Sequence, residues 1–175
     1  MIILVGPVGS GAGDLAAELQ GRGLTVADSD AFLEQREGMT GGDVAIFKGP
    51  EAYADAERVA SLEALESGAD VVVLGSGALG KTAGDEKGSV VRDRLDAAVA
   101  EGAIKVFLTA EAKVLMNRAG LDLPRSVAIG SPRSTYLTQL KARELIYEAG
   151  ATKIDTTEGD WAALADAVMS LTEKS

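Results

Sequence analysis

The chain has 175 residues, 46% of them hydrophobic and 25% charged, enough for one domain of ordinary size with a proper core. It contains neither Cys nor His, which excludes disulfides, thiolate or imidazole metal sites, and Ser-His or Cys-His catalysis. A formal net charge of −10 disfavours nucleic acid and anionic membranes as partners, and leaves any anionic ligand to be captured by local arginines.

Met1–Val5 is apolar and predicts a first strand, running into the glycine-rich stretch from Gly6 to Asp14. Helical spacing follows over 13–22, a second strand over Leu24–Ala27, and a second helix over 29–37. Gly41-Gly42 reads as a loop, 50–67 as a helix and Val71–Leu74 as a third strand. The polar run Gly84-Asp85-Glu86-Lys87-Gly88 reads as another loop before a helix over 89–101. Ala103–Leu108 predicts a fourth strand and 111–119 a helix. The segment 120–132, without periodicity, reads as a lid. A helix over 132–149, a fifth strand over Thr152–Ile154 and a helix over 158–173 complete the chain, the last with Trp161, Leu164, Val168 and Leu171 on one face. Strands alternating with helices predict an α/β domain spanning 1–175, with a five-stranded parallel sheet covered on both sides and ligands beyond the strands' carboxyl ends. No run reaches transmembrane length and the N-terminus lacks a basic flank and cleavage site, so a cytoplasmic protein is expected.

The first glycine-rich turn carries the chemistry. Strand, glycine loop and helix in this order form a phosphate cradle, whose pattern is Gly, four residues, Gly, Lys and then Ser or Thr. Gly6, Gly9 and Gly11 keep the frame, but Ala12 stands at the lysine position, Gly13 at the hydroxyl position, and Asp14 follows. The lysine would reach the β- and γ-phosphates and the hydroxyl would hold magnesium. A charge pair is worth about 4 kcal/mol at ~4 Å and an effective dielectric of ~20. Replacing attraction by repulsion here should therefore cost ATP several powers of ten in affinity, each about 1.4 kcal/mol. The loop N–H groups still define an anion site, and Asp14 is expected to occupy it partly, as a counterion to the helix N-terminus. Gly75-Ser76-Gly77-Ala78-Leu79-Gly80-Lys81-Thr82 also satisfies the pattern letter for letter. It is read as a coincidence of a glycine-rich strand end, because Ala83–Gly88 offers no apolar helical spacing. One variant of that reading has Lys81 reaching across to replace the missing lysine.

With these motifs in order, the sequence resembles the shikimate kinase family over nearly its whole length. The resemblance implies a three-layer P-loop kinase fold of the nucleoside-monophosphate-kinase type, generally monomeric, working on shikimate with Mg-ATP. The family's Asp-x-Asp falls on Asp28-Ser29-Asp30, which gives Asp28 a place near the metal and Asp30 the substrate hydroxyl. Read from residues alone, Asp28 or Ser29 equally well caps the next helix. The Phe-Arg-x-x-Glu motif is Tyr53-Ala54-Asp55-Ala56-Glu57, retaining the acid and losing the arginine. Gly75-Ser76-Gly77 stands for the family's triple glycine, and Arg143 for one of two arginines on the substrate carboxylate. Arg118 falls on the arginine that stacks on adenine, Arg125 on the catalytic lid arginine, and Gly9, Gly11 and Gly13 on the phosphate-contacting loop. Arg133 adds a further cation near the lid.

The departures at Ala12, Gly13, Asp14 and Ala54 all fall on ligand-contacting positions. The leading expectation is thus a shikimate-kinase-like protein impaired in ATP-dependent phosphoryl transfer, retaining a cleft for a small anion, a shikimate-like molecule or a protein partner. The alternative is an active shikimate kinase, or a kinase of a related small molecule, using relocated groups such as Lys81 with Arg118, Arg125 and Arg143 on the phosphoryl group.

Overall fold

A computed structural model describes residues 1–121 and 132–173. The five strands are β1 (Ile2–Val5), β2 (Val26–Asp28), β3 (Val71–Val73), β4 (Ile104–Thr109) and β5 (Thr152–Asp155). They form one parallel sheet in the order β2-β3-β1-β4-β5. The helices are α1 (Ala12–Gly21), α2 (Ser29–Glu37), α3 (Gly41–Phe47), α4 (Pro50–Glu66), α5 (Glu86–Ala100), α6 (Ala112–Arg118), α7 (Pro132–Glu148) and α8 (Trp161–Thr172).

Period-two alternation sends neighbouring strand residues into different layers. Ile3, Val5, Val72 and Phe107 pack with Leu65 of α4, Leu95 of α5 and Tyr147 of α7. Ile2, Leu4, Val71, Val73, Val106 and Leu108 pack with Leu15 and Leu19 of α1 and Val168 of α8. Trp161, Leu164 and Leu171 join that second layer half-buried, so the apolar face expected for the last helix is the one α8 uses. β1 is buried on both faces, as the central strand of a doubly covered sheet must be. A third cluster, Leu33, Val44, Ala56 and Ala60, joins α2, α3 and α4 into a cap beyond the carboxyl end of β2.

Lys105 interrupts the apolar run of β4, yet it is buried. Its ammonium donates to the carbonyls of Ile146 and Ala149 at 2.9 and 2.7 Å, closing orphan acceptors at the carboxyl end of α7. Burial lowers its pKa, with Asp96 pulling the other way.

Two expected loops are helix starts. Gly41-Gly42 opens α3, because Thr40 caps it by accepting from the Asp43 N–H at 3.1 Å and returns a hydrogen bond to the Asp43 carboxylate at 2.8 Å. Asp85 caps α5 by accepting from the N–H groups of Lys87 and Gly88, so that helix begins at Glu86 rather than 89. Of the expected lid over 120–132, residues 122–131 lie outside the described residues, Arg125 among them.

Candidate active site

The two candidate clefts open at the carboxyl ends of β1, β2 and β3, where a sheet of this kind leaves room for ligands. The first, about 550 Å³, is formed by the loop between β1 and α1. Gly9 and Gly11 have φ of 84° and 83°, a left-handed backbone that favours glycine. A Cβ at Gly9 would collide with the Leu115 carbonyl, and one at Gly11 with the Trp161 ring. The loop is braced from outside as well. The Thr156 hydroxyl donates to the Ser10 carbonyl at 2.7 Å, and the Tyr136 hydroxyl donates to the Val8 carbonyl at 2.6 Å. Burial pushes the Tyr136 phenol up to about 12, so it stays a donor across the physiological range.

The geometry of a phosphate cradle is therefore intact, but its side-chain chemistry differs. Gly11 caps α1 without any side-chain hydrogen bond, and Asp14 is exposed in the first turn. Asp14 lines the cleft but makes no hydrogen bond to the loop N–H groups among the described residues, so it does not fill the anion site as a cap. Space is not the limit at Gly13, where a Cβ would meet nothing within 4 Å. Among the described residues, three carboxylates, Asp14, Asp28 and Asp30, line this cleft against a single cation, Arg118.

Arg118 is already engaged. It donates to the Thr156 carbonyl at 2.8 Å, the Thr156 hydroxyl at 3.1 Å, and the carbonyls of Thr157 and Gly9 at 3.3 and 3.4 Å. Its guanidinium lies 5.3 Å from the centre of the Trp161 ring, a cation–π contact. The residue matched to adenine stacking thus stacks on the protein's own aromatic ring.

The Asp-x-Asp stretch splits its roles. Asp28 caps α2, accepting from the Asp30 N–H at 2.8 Å, which is the capping reading of the residue; it also faces the phosphate cleft. Buried Ser29 turns the other way and accepts from the Gly75 N–H at 2.8 Å, tying β2 to the loop after β3. Asp30 points into the cleft, its pKa raised by desolvation and by the neighbouring Asp28 and Glu34 carboxylates. No group of three acidic side chains positioned to hold a metal ion occurs among the described residues.

The second cleft, about 680 Å³, lies between α4, α7 and the loop after β3. Glu57 is 5% exposed, and its Oε1 accepts from the Tyr53 hydroxyl at 3.1 Å and the Gly77 N–H at 3.0 Å. Desolvation raises its pKa; the Asp30 charge adds to this, while the two hydrogen bonds and Arg143 oppose it. Asp30 Oδ1 and Glu57 Oε1 both lie 2.9 Å from where a Cβ on Gly75 would stand, and the Glu57 carboxylate likewise fills that space at Gly77. Gly75 and Gly77 are thus glycines because two carboxylates press against them. Arg143 and Tyr147, one turn apart on α7, both donate to the Ser76 carbonyl, Arg143 at 3.2 Å. The second glycine motif does not form a phosphate loop. Asp85 accepts from the N–H groups of Lys81, Lys87 and Gly88, so a carboxylate of the chain already sits on those donors, and its pKa is lowered accordingly. Lys81 is exposed and opens onto this second cleft, away from the phosphate loop. Arg133 donates to the Leu121 carbonyl at 2.8 Å.

Tyr136, Thr156, Ser29 and Trp161 as a loop brace were not singled out from sequence. A Thr or Tyr hydroxyl donating to a distant carbonyl leaves no periodic or spacing signal.

A parallel sheet with β1 between β3 and β4, a glycine cradle after β1 and acids after β2 define the P-loop kinase fold. A family model of shikimate kinase matches residues 10–173, and the chain belongs to that family. It is 32% identical over 160 residues to a shikimate kinase of Thermobifida fusca, covering 90% of this chain and 86% of the relative. A shikimate kinase of Streptomyces coelicolor is 29% identical over 162 residues, covering 91% and 86%. Among solved structures, the shikimate kinase of Acinetobacter baumannii in complex with shikimate superposes with a TM-score of 0.81 at 25% identity, covering 99% of this chain and 92% of that one. None of the described helices is long and apolar enough to cross a membrane.

Proposed function

We propose that this member of the shikimate kinase family binds a small anionic ligand between the loops after β2 and β3 and holds Mg-ATP weakly or not at all. The observation that carries the reading is the charge of the phosphate cleft. Among the described residues three carboxylates face one guanidinium, and that guanidinium already serves Thr156, Thr157 and Gly9. A magnesium triphosphate needs the reverse balance, because its transferring phosphoryl group is stabilised by fixed positive charge. Loop N–H groups alone offer dipoles where the family pattern has a lysine and a metal-holding hydroxyl. The ligand side is better preserved. Asp30 reaches the cleft after β2, Arg143 supplies a planar fork for a carboxylate, and Gly75 and Gly77 keep the floor open.

A second reading, an active kinase of shikimate or a related acid, is favoured by the retained Asp30 and Arg143 and by relatives that bear the name shikimate kinase. In that reading Gly9, Gly11, Gly13 and Arg118 would face the nucleotide, Asp28 the metal, and Arg125 the transferring group. Titration calorimetry with Mg-ATP decides between them. The proposal expects no saturable heat below millimolar nucleotide; micromolar binding overturns it and supports the second reading. A protein partner for the cleft is part of the same proposal, and displacement of that partner by shikimate would reveal it.

A further inference from the structure

The charge pattern of the second cleft points to a narrower ligand class than a simple acid. Glu57 is buried at its floor, with Oε1 satisfied by Tyr53 and Gly77 and Oε2 without a hydrogen bond among the described residues. Asp30, which lines the neighbouring phosphate cleft, approaches Gly75 from that side, its Oδ1 and Glu57 Oε1 both 2.9 Å from where a Cβ on Gly75 would stand. Position 54, one turn before the next residue of α4 that faces this floor, is Ala and places no cation beside them. The other cations of the rim are spent on rim acids: Lys87 pairs with Glu51 at 2.7 Å and Asp55 at 3.1 Å, and Arg58 with Asp55 at 3.8 Å. Lys81 stands exposed at the mouth, where solvent screens it. Arg143 lines the cavity without an ion pair to a rim acid among the described residues, donating to the Ser76 carbonyl at 3.2 Å.

Glu57 forms no direct ion pair among the described residues and feels Arg143 only as an opposing charge, a costly arrangement that a ligand cation can relieve. We infer that the cleft is built for a small hydroxylated zwitterion, an amino acid or amino polyol acid whose carboxylate meets Arg143 and whose ammonium meets Glu57 and Asp30. A ligand with a carboxylate and hydroxyls only satisfies Arg143 and leaves the acid floor uncompensated. This assignment rests on the proposed ligand cleft and names the chemistry of its occupant.

The test uses the full chain and two matched probes, shikimate and aminoshikimate, the same ring acid with one hydroxyl replaced by an amine. Calorimetry should show the amino acid binding about tenfold or more tighter, the worth of one charge-assisted hydrogen bond to a desolvated partner. In Glu57→Gln, which keeps the shape and removes the charge, the two affinities should fall within about twofold of each other. Equal or tighter binding of shikimate to the native chain overturns the inference, as does a preference that survives in Glu57→Gln, or the failure of both probes to bind. Mg-ATP is titrated in parallel without either probe. Tight nucleotide binding there overturns the proposed function whatever the probes do, so the two failures are read from separate curves.

Discussion

Restoring the family side chains to the phosphate loop should restore nucleotide binding, and the structure sets the size of the effect. The variant is Ala12→Lys, Gly13→Ser, Asp14→Thr. It removes one negative charge from the cleft and adds one positive charge at the first turn of α1. A full charge pair at ~4 Å and a dielectric of ~20 is worth about 4 kcal/mol. Ala12 is half-exposed and Asp14 exposed, so screening reduces each change to about 1 kcal/mol. With the metal-holding hydroxyl added, the gain is about 2–3 kcal/mol, or roughly a hundredfold in Mg-ATP affinity. The fold should not register the change. Serine fits at position 13, where a Cβ meets nothing within 4 Å. Its helix propensity exceeds that of glycine by about 0.5 kcal/mol. Losing the first-turn acid costs a similar amount, about 0.5 kcal/mol. The assay is calorimetric titration of Mg-ATP into both proteins, with thermal melts to verify equal stability. A variant that melts like the native chain and gains no affinity would refute the reasoning, because it would put the obstacle outside the loop side chains.

Three further outcomes follow from the same geometry. Gly11→Ala must accept a left-handed backbone costing about 1–2 kcal/mol and a clash with the Trp161 ring costing about 1–3 kcal/mol. Trp161 is the only tryptophan, so its emission should shift while the melt falls by several degrees. Tyr147→Phe keeps the ring stacked on Phe107 at 5.4 Å but loses the bond to the Ser76 carbonyl, and denaturant titration should show a loss of about 1 kcal/mol. Glu57 has a pKa raised in the folded chain above its ordinary 4.5, chiefly by desolvation. Between 4.5 and that raised value the folded state holds a proton that the unfolded chain has released. The stability this contributes is full below 4.5 and is lost as pH rises through the folded value. The native melt should rise between pH 7 and pH 5 more than that of Glu57→Gln; parallel pH profiles would remove Glu57 as the cause.

The layering of the fold was legible because β1, β3 and β4 are apolar runs and α8 carries Trp161, Leu164, Val168 and Leu171 at helical spacing. α3 was hidden by its two glycines, and only the mutual bonds of Thr40 and Asp43 show why a helix starts there. The missing lysine and hydroxyl of the phosphate loop could be read from three letters. The engagement of Arg118 could not, because its partners Thr156, Thr157 and Gly9 meet it only after β1, β5 and α6 have packed. Glu57 was visible as the acid of a motif. Its burial against Gly75 and Gly77 depends on α4 packing against the loop after β3, a long-range contact that spacing along the chain does not encode. Lys105 breaks the pattern of its strand for a similar reason: the carbonyls it closes belong to a helix far along the chain.

Whether the charge-inverted phosphate cleft still supports chemistry is answered most directly by a single-turnover experiment. The full chain is held in excess over radiolabelled ATP with magnesium and shikimate, and labelled shikimate phosphate is followed over hours. No product above the protein-free reaction is predicted. Transfer of label to shikimate at a rate set by the protein would contradict the account.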